Sequence, residues 1–280
     1  MTLNQSVVIV AEKVVDNDQK SYSFGVWWAL RWRAILAELV STMILILFGC
    51  MGCIPIDNLA EQSPIYGPMA FGLTVLVNVQ IFGHLSGAHM NPAVTLGAII
   101  WGSTSIPTGI AYFIAQCAGA IFGYGILIGV APGNVSTDGI CVTLPHSEIN
   151  DIQATAIEMF LTAMLVFVCC GLWDPVNKEK QDSVPIKFGL TIIGLSIVGA
   201  PMTDASMNPA RTLGPAVWSG TWTSHWVYWV GPFLGSIIAS SFYKIIWLKR
   251  DDKNKIQFAI KRTKFRMIRH RVRSTRDLRN

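Results

Sequence analysis

A short motif that occurs twice is the strongest constraint on how this chain can fold. Residues 88–97 read AHMNPAVTLG and residues 206–214 read SMNPARTLG. In both copies an Asn stands before a Pro and an apolar run, which is the order of an N-cap residue and the first residue of a helix. Each run ends after about ten residues, at Trp101 and Trp218, whereas a helix that crosses a bilayer needs ~20. The motifs therefore predict two short helices that each cover half of a membrane.

The composition indicates that the rest of the chain also lies in a membrane. Apolar residues make up 51% of the sequence and charged residues 14%, against ~25% charged in a typical soluble domain. Six apolar stretches are close to spanning length and carry few or no ionisable residues. They cover 34–53, 67–83, 108–131, 152–173, 186–201 and 225–248. We therefore predict an all-α membrane protein with six transmembrane helices and two re-entrant half-helices.

A second set of matches indicates an internal repeat. Residues 71–74 and 188–191 both read FGLT, and their displacement of 117 residues equals that between Asn91 and Asn208. Each copy then holds two spans, a half-span and a third span, so it crosses the membrane an odd number of times. The second copy must enter from the opposite side, which makes an inverted repeat. The half-helices are expected to meet near the midplane beside a polar path, because lipid cannot satisfy non-helical backbone there.

The distribution of charge separates a membrane domain from two polar ends. We predict a cytoplasmic segment over 1–30, a membrane domain over 31–248 with repeats at about 31–131 and 152–248, and a basic tail over 249–280. The tail holds thirteen Lys or Arg and three Asp, whereas segments 54–66 and 132–151 hold neither Lys nor Arg. Positive residues favour the cytoplasmic side, so both termini are expected in the cytoplasm. No cleaved signal peptide is expected.

The paired motifs resemble those of the aquaporin (major intrinsic protein) family of membrane channels, over roughly residues 31–248. The residues that carry the resemblance are Asn91, Pro92, Ala93, Asn208, Pro209 and Ala210, each triplet followed one residue later by Thr-Leu-Gly. The resemblance implies a passive channel for water and small uncharged solutes, without cofactor, metal or catalytic residues. It also implies a homotetramer in the cell membrane, with one pore in each subunit.

The facing half-helices explain how such a pore would exclude ions. Their N-termini carry partial positive charge, which raises the energy of a cation or a hydrated proton at the centre. If the side-chain oxygens of Asn91 and Asn208 cap their own helices, their amide hydrogens are left to point into the pore as donors. A water molecule that accepts both turns its own hydrogens outward and interrupts a chain of proton transfers.

Four positions form the narrowest ring of the pore in this family, and here they correspond to Phe71, Ser196, Ala205 and Arg211. Water-selective members carry a His where this chain has Ser196, so the ring is expected to be wider and to admit glycerol and urea. An apolar wall at Phe71 would face the donors of Arg211. The alternative is a strictly water-selective channel, in which another side chain fills the space beside Ser196.

The placement within the family rests on the same ring. Glycerol facilitators usually carry Asp where this chain has Thr212. The combination is therefore similar to the insect entomoglyceroporins, which are glycerol-permeable channels within the water-channel branch. Many relatives carry a mercury-reactive Cys where this chain has Ala205, so block through that position is not expected.

Two acidic residues lie inside predicted spans, where a carboxylate must find a partner in the protein interior. Glu38 and Glu158 are 120 residues apart, close to the displacement of the repeat. We expect them to accept hydrogen bonds from the re-entrant loops, with a proton relay as the alternative. His89 is expected to brace the loop before Asn91, and a pH-sensing role stays open.

The six cysteines give no disulfide framework, because Cys117, Cys169 and Cys170 lie within spans and Cys141 alone lies clearly in an outer loop. Cys50 and Cys53 are interpreted as small packing residues at a helix end. Asn134 begins an Asn-Val-Ser sequence that fits N-glycosylation.

The basic tail suggests a second class of function. Residues 256–272 interleave apolar residues with Lys and Arg, which suits binding to anionic lipid or to a calmodulin-like partner. A junctional or scaffolding membrane protein acting through this tail is therefore an alternative hypothesis. An enzyme is disfavoured, because the His, Cys and Asn residues form no set of nucleophile and base. A nucleic-acid partner is not expected.

Overall fold

The computed structural model describes residues 23–55 and 63–248, and within these ranges the regular structure is helical. The α-helices are α1 (Phe24–Met51), α2 (Tyr66–Ser86), α3 (Pro92–Trp101), α4 (Ile106–Val130), α5 (Asp151–Trp173), α6 (Val184–Thr203), α7 (Pro209–Ser219) and α8 (Val227–Phe242). Short 3-10 turns cover Pro175–Asn177 and Gln181–Ser183, and a π-helical turn, Tyr243–Trp247, follows α8. All six predicted spans are long and apolar enough to cross a membrane. The predicted all-α membrane fold is confirmed.

The two half-helices begin where the sequence predicts. Pro92 is the first residue of α3 and Pro209 is the first residue of α7, each preceded by an extended Asn. The side-chain oxygen of Asn91 accepts from the Ala93 N–H at 2.8 Å, and that of Asn208 accepts from the Ala210 N–H at 3.0 Å. These bonds satisfy amides that have no partner inside the helix.

The half-helices are short because each has a stop signal as well as a start. Gly102 follows α3 and Gly220 follows α7, both in the left-handed conformation, with φ of 94° and 73°. Glycine adopts this conformation without the steric cost of a side chain. The first span differs from its prediction, since α1 begins at Phe24 and not near residue 34. Its first turns carry Arg31 and Arg33, and Arg forms helix well but interrupts an apolar stretch.

The spans pack as two bundles with the same arrangement. In the first repeat α1 packs against α4 and α2, and in the second α5 packs against α8 and α6. Glycines bring the backbones close, since a Cβ on Gly119 would lie 2.3 Å from the Leu39 carbonyl oxygen, and one on Gly235 would lie 2.3 Å from that of Met159. Each half-helix packs against the last span of the other repeat, α3 on α8 and α7 on α4. The repeats are therefore interlocked.

The expectation that the cysteines form no disulfide is wrong. Cys50, in the last turn of α1, is bonded to Cys141 in the loop after α4, with their Cα atoms 5.4 Å apart. Cys50 is therefore more than a small packing residue, whereas Cys53 remains a free thiol. The two cysteines are 91 residues apart, so no local motif identifies them as a pair. A signal existed, because Cys50 stands near the end of the first predicted span, 34–53, and that end faces the same side of the membrane as the outer loop with Cys141, where disulfides persist.

Three predictions concern regions outside the helices. Asn134 lies exposed in the loop after α4, so its side chain is accessible to a modifying enzyme. The predicted cytoplasmic segment, residues 1–30, is described only from residue 23. The predicted partners of the basic tail, anionic lipid or a calmodulin-like protein, fall on residues 249–280 and lie outside the described residues.

Candidate functional site

The two Asn-Pro-Ala motifs meet in the interior of the protein. The side-chain amide of Asn91 donates to the Met207 carbonyl at 2.8 Å, and that of Asn208 donates to the Met90 carbonyl at 2.8 Å. Each amide carries two hydrogens, so the opposite loop uses one of them. The second has no acceptor among the described residues and is available to a water molecule in the cavity. The N-termini of α3 and α7 thus face each other across these reciprocal bonds.

Glu38 and Glu158 hold the loops that lead into the half-helices. The Glu38 carboxylate accepts from the His89 and Met90 amides, each at 2.8 Å, and from the side chains of Ser86 and Gln116. The Glu158 carboxylate accepts from the Ser206 amide at 2.9 Å, the Met207 amide at 2.7 Å and the Thr203 hydroxyl at 2.7 Å. Both glutamates are completely buried. Their geometry is that of structural acceptors.

The loops need these acceptors because their backbone is strained. Ala88 and Met90 have φ of 49° and 52°, and Ala205 and Met207 have φ of 46° and 53°. Residues other than glycine adopt this left-handed region at a cost of ~1–2 kcal/mol each. The two carboxylates offset that cost by pairing the amides that the strained loops expose.

His89 lies between the first loop and the helices around it. Its Nδ1 is 3.1 Å from the Thr95 hydroxyl, and its ring packs edge-on against Tyr112 with centroids 5.5 Å apart. It also contacts Trp173 at 6.2 Å and lines the cavity described below. This is the position of a brace between α3, α4 and α5.

A single cavity of about 820 Å³ passes both motifs. The four residues expected at the narrowest ring all line it: Phe71, Ser196, Ala205 and Arg211. The guanidinium carbon of Arg211 lies 4.9 Å from the centre of the Phe71 ring, which places a cation on an aromatic face. The other two members of the ring, Ser196 and Ala205, have small side chains and are 8% and 5% exposed.

The Phe71 ring is seated against the last turns of α1. A Cβ on Gly49 would lie 2.5 Å from Phe71 Cε1, so only a glycine leaves room for the ring in this position. On the other side, a Cβ on Gly199 would lie 2.9 Å from the Ala205 Cβ. Two glycines therefore leave the space into which Phe71 and Ala205 pack, away from the cavity. Sequence reasoning did not identify these glycines.

Within the described residues, the partner of Arg211 is the loop after α4 and not a carboxylate. Its Nη1 donates to the Cys141 carbonyl at 2.5 Å, and the residue is 7% exposed. The nearby Asp204 accepts instead from the Leu144 amide at 2.9 Å, so it ties the same loop down. Sequence reasoning missed the Cys141 carbonyl, because a backbone acceptor leaves no trace in side-chain identity.

Comparison with known proteins places these features in context. The sequence model of the major intrinsic protein family matches residues 26–243. The chain is 36% identical to aquaporin-4 of Mus musculus over 248 residues, 86% of this chain and 76% of that protein. It is 36% identical over 231 residues to the lens fiber major intrinsic protein of Lithobates pipiens, 82% of this chain and 84% of that protein. The X-ray structure of the aquaglyceroporin from Plasmodium falciparum superposes with a TM-score of 0.71 at 25% identity, covering 77% of this chain and 96% of that one.

Proposed function

Because this chain belongs to the major intrinsic protein (aquaporin) family, whose members are membrane channels and not enzymes, we propose that it conducts water and small uncharged solutes, glycerol and urea among them, down their gradients. The observation that carries the proposal is the composition of the ring around Arg211. One side is formed by the contact between Phe71 and Arg211, and the other by the small residues Ser196 and Ala205. The open part of the ring, through which a solute would pass, then lies beside Ser196 and Ala205, because their side chains take up little space.

This ring suits a solute that is apolar on one face and polar on the other. The Phe71 ring offers contact to C–H groups, while Arg211 and the Ser196 hydroxyl offer hydrogen bonds to O–H or N–H groups. Glycerol and urea need to shed much of their hydration to enter a narrow passage, and these groups replace it. A hydroxymethyl group at Ser196 also occupies much less space than an imidazole would. The geometric likeness to a solved aquaglyceroporin agrees with this solute class.

Ion and proton exclusion follow from the fixed charges along the cavity. Arg211 places a positive charge at the ring, and the N-termini of α3 and α7 add their partial charges at the motifs. The free amide hydrogens of Asn91 and Asn208 orient a water molecule there as an acceptor. Both acceptor sites of that water's oxygen are then occupied, so it cannot accept a proton from the next water in the pore. Water molecules therefore pass while protons do not.

The membrane arrangement is also part of the proposal. The protein is a multi-pass membrane protein. We place it in the cell membrane with both termini in the cytoplasm, because a disulfide between the end of α1 and the loop after α4 is expected on the oxidising side. By resemblance to the family we propose a homotetramer in which each subunit has its own pore.

Flux measurements on the purified full-length chain in proteoliposomes test the proposal. We expect osmotic water flux together with glycerol and urea uptake well above that of empty vesicles. Ser196→His should lower glycerol uptake about tenfold or more and spare water, since the ring regains a bulky polar wall of the kind that excludes larger solutes. The matched control is Ser183→His, the same substitution in a turn away from the cavity. High water flux without solute uptake by the unaltered chain would contradict the solute assignment in favour of a water-only channel.

A further inference from the structure

Cys141 makes two connections at the outer end of the cavity. Its sulfur is bonded to Cys50 at the end of α1, and its carbonyl oxygen accepts from Arg211 Nη1 at 2.5 Å. A covalent bond and a charge-assisted hydrogen bond therefore meet at one residue. Hydrogen bonds of an ionised donor are stronger than neutral ones, so the position of this carbonyl matters for where the guanidinium lies.

The segment that carries Cys141 has an irregular backbone. Cys141 has φ of 68°, a left-handed conformation that is unfavourable for a residue with a side chain, and Gly139 two residues earlier has φ of 66°. Tyr124 donates to the Ile140 carbonyl at 2.6 Å and so fixes the neighbouring residue to α4. The disulfide is the link that fixes Cys141 itself to α1.

The same turn of α1 also seats Phe71, the residue that Arg211 contacts in the ring. Gly49 leaves the space in which the Phe71 ring sits, and Cys50 comes directly after it. The position of Phe71 depends on Gly49 through packing, and that of Arg211 depends on Cys50 through Cys141. The end of α1 is thus coupled to both residues of the Phe71–Arg211 contact.

We propose that the Cys50–Cys141 disulfide is a specificity-determining element of the channel, which positions Arg211 by holding the Cys141 carbonyl. This inference rests on the proposed function of the ring. With the bond intact, the guanidinium is kept at the wall. When the bond is broken, the loop carbonyl moves away and the guanidinium turns toward water in the cavity, because a buried cation needs acceptors. The passage then becomes narrower, and the permeability to glycerol falls more than the permeability to water.

The test compares oxidised and reduced full-length protein in proteoliposomes. Dithiothreitol converts the disulfide to two thiols and is itself oxidised to its cyclic disulfide, and it crosses the membrane, so channel orientation does not matter. Peptide mapping without reduction verifies the Cys50–Cys141 bond before treatment and its loss afterwards. We expect the ratio of glycerol to water permeability to fall about threefold or more on reduction, since a hydrogen bond to a charged group is lost. Reoxidation should restore it.

Variants separate this role from a purely structural one. The double variant Cys50→Ala/Cys141→Ala should show the reduced ratio without treatment and should not respond to dithiothreitol. Cys117→Ala, which removes a free thiol of α4 away from the cavity, should respond as the unaltered chain does. In an Arg211→Ala background, breaking the disulfide should leave the ratio unchanged, because the group that it positions is gone.

Three outcomes would overturn the inference. They are peptide mapping that finds no Cys50–Cys141 bond, an unchanged ratio after verified reduction, and an equal fall of the ratio with and without Arg211. The reduction of the reconstituted, unaltered chain keeps the test valid if the double variant does not fold. Failure of the proposed function is seen separately, in the oxidised unaltered chain. If that chain conducts no glycerol, both the proposed function and this inference are overturned.

Discussion

The loop before α3 and the loop before α7 are built in the same way, although they enter the membrane from opposite sides. In each, a buried glutamate accepts from two successive loop amides, and an Asn both caps its own half-helix and donates to the other loop. The strained residues also correspond, with Ala88 and Met90 matching Ala205 and Met207. Even the bracing contact is repeated, since His89 pairs with Thr95 and Ser206 with Thr212.

The side chains that face the cavity do not share this symmetry. A displacement of 117 residues relates the ring of Phe71, Ser196, Ala205 and Arg211 to Phe188, Val79, Ala88 and Val94, and all eight residues line the same cavity. The first set holds a cation and a hydroxyl, whereas the second is apolar throughout. The comparison teaches that the repeat supplies the frame twice, while the cation and the hydroxyl occur in only one of these two sets of lining residues.

The largest effect is expected where the two halves are alike. Glu38→Gln and Glu158→Gln each replace an acceptor oxygen by an NH₂ group that faces a backbone donor. Each should destabilise the folded channel by about 3 kcal/mol or more, since leaving buried donors unpaired costs ~1–3 kcal/mol apiece. The measurement is the thermal unfolding of the purified variants in detergent. A large loss of stability in one variant with none in the other would show that the two glutamates do not play equivalent roles.

The second prediction probes the difference between the two sets of lining residues. Arg211→Ala removes the fixed charge and should raise proton and cation leak about tenfold, since a unit charge ~4 Å away contributes ~1–4 kcal/mol at effective dielectric constants of ~80–20. Val94→Ala shortens the corresponding residue of the apolar set without removing a charge, and it should leave ion exclusion intact. Leak is measured with a pH-sensitive dye trapped in proteoliposomes. Similar leak from both variants would show that the two sets do not differ in this respect.

The smallest expected effect concerns the packing of Gly49 behind the Phe71 ring. Gly49→Ala places a methyl group 2.5 Å from the Phe71 ring, which must shift toward the cavity. Glycerol uptake should fall about threefold while water flux changes less, since overpacking costs ~1–3 kcal/mol and only part of it falls on solute passage. Gly194→Ala is the matched control, because no atom outside its own helix lies within 4 Å of the added Cβ. Equal solute uptake by the two variants would mean that Phe71 is not held by Gly49.

Much of the frame could be predicted because its signals are local. The start of each half-helix is marked by Asn-Pro, and its end follows from Gly102 and Gly220. The glutamates could be placed because a carboxylate inside an apolar span must meet donors, and the strained loops are the nearest source. The ring residues of the second repeat, Ser196 and Arg211, were found through resemblance, and the structure places them in the same cavity.

The parts that sequence reasoning missed depend on contacts between distant segments. The Cys50–Cys141 bond joins a helix end to a loop, and neither cysteine has a neighbouring motif that marks it as bonded. The acceptor of Arg211 is a backbone carbonyl, which every residue carries. The seat of Phe71 depends on Gly49, and a glycine in a membrane helix is common enough to be read as ordinary packing.

The sequence by itself determined that this chain spans a membrane six times, that two half-helices enter it, and that the second half repeats the first. Hydrophobic length, capping residues and repeat spacing are properties of short stretches, so they can be read without knowing the fold. Only the tertiary structure decided what holds Arg211 and Phe71 at the ring. Those positions result from packing and bonding between residues far apart in the chain, and such contacts exist only once the helices are assembled.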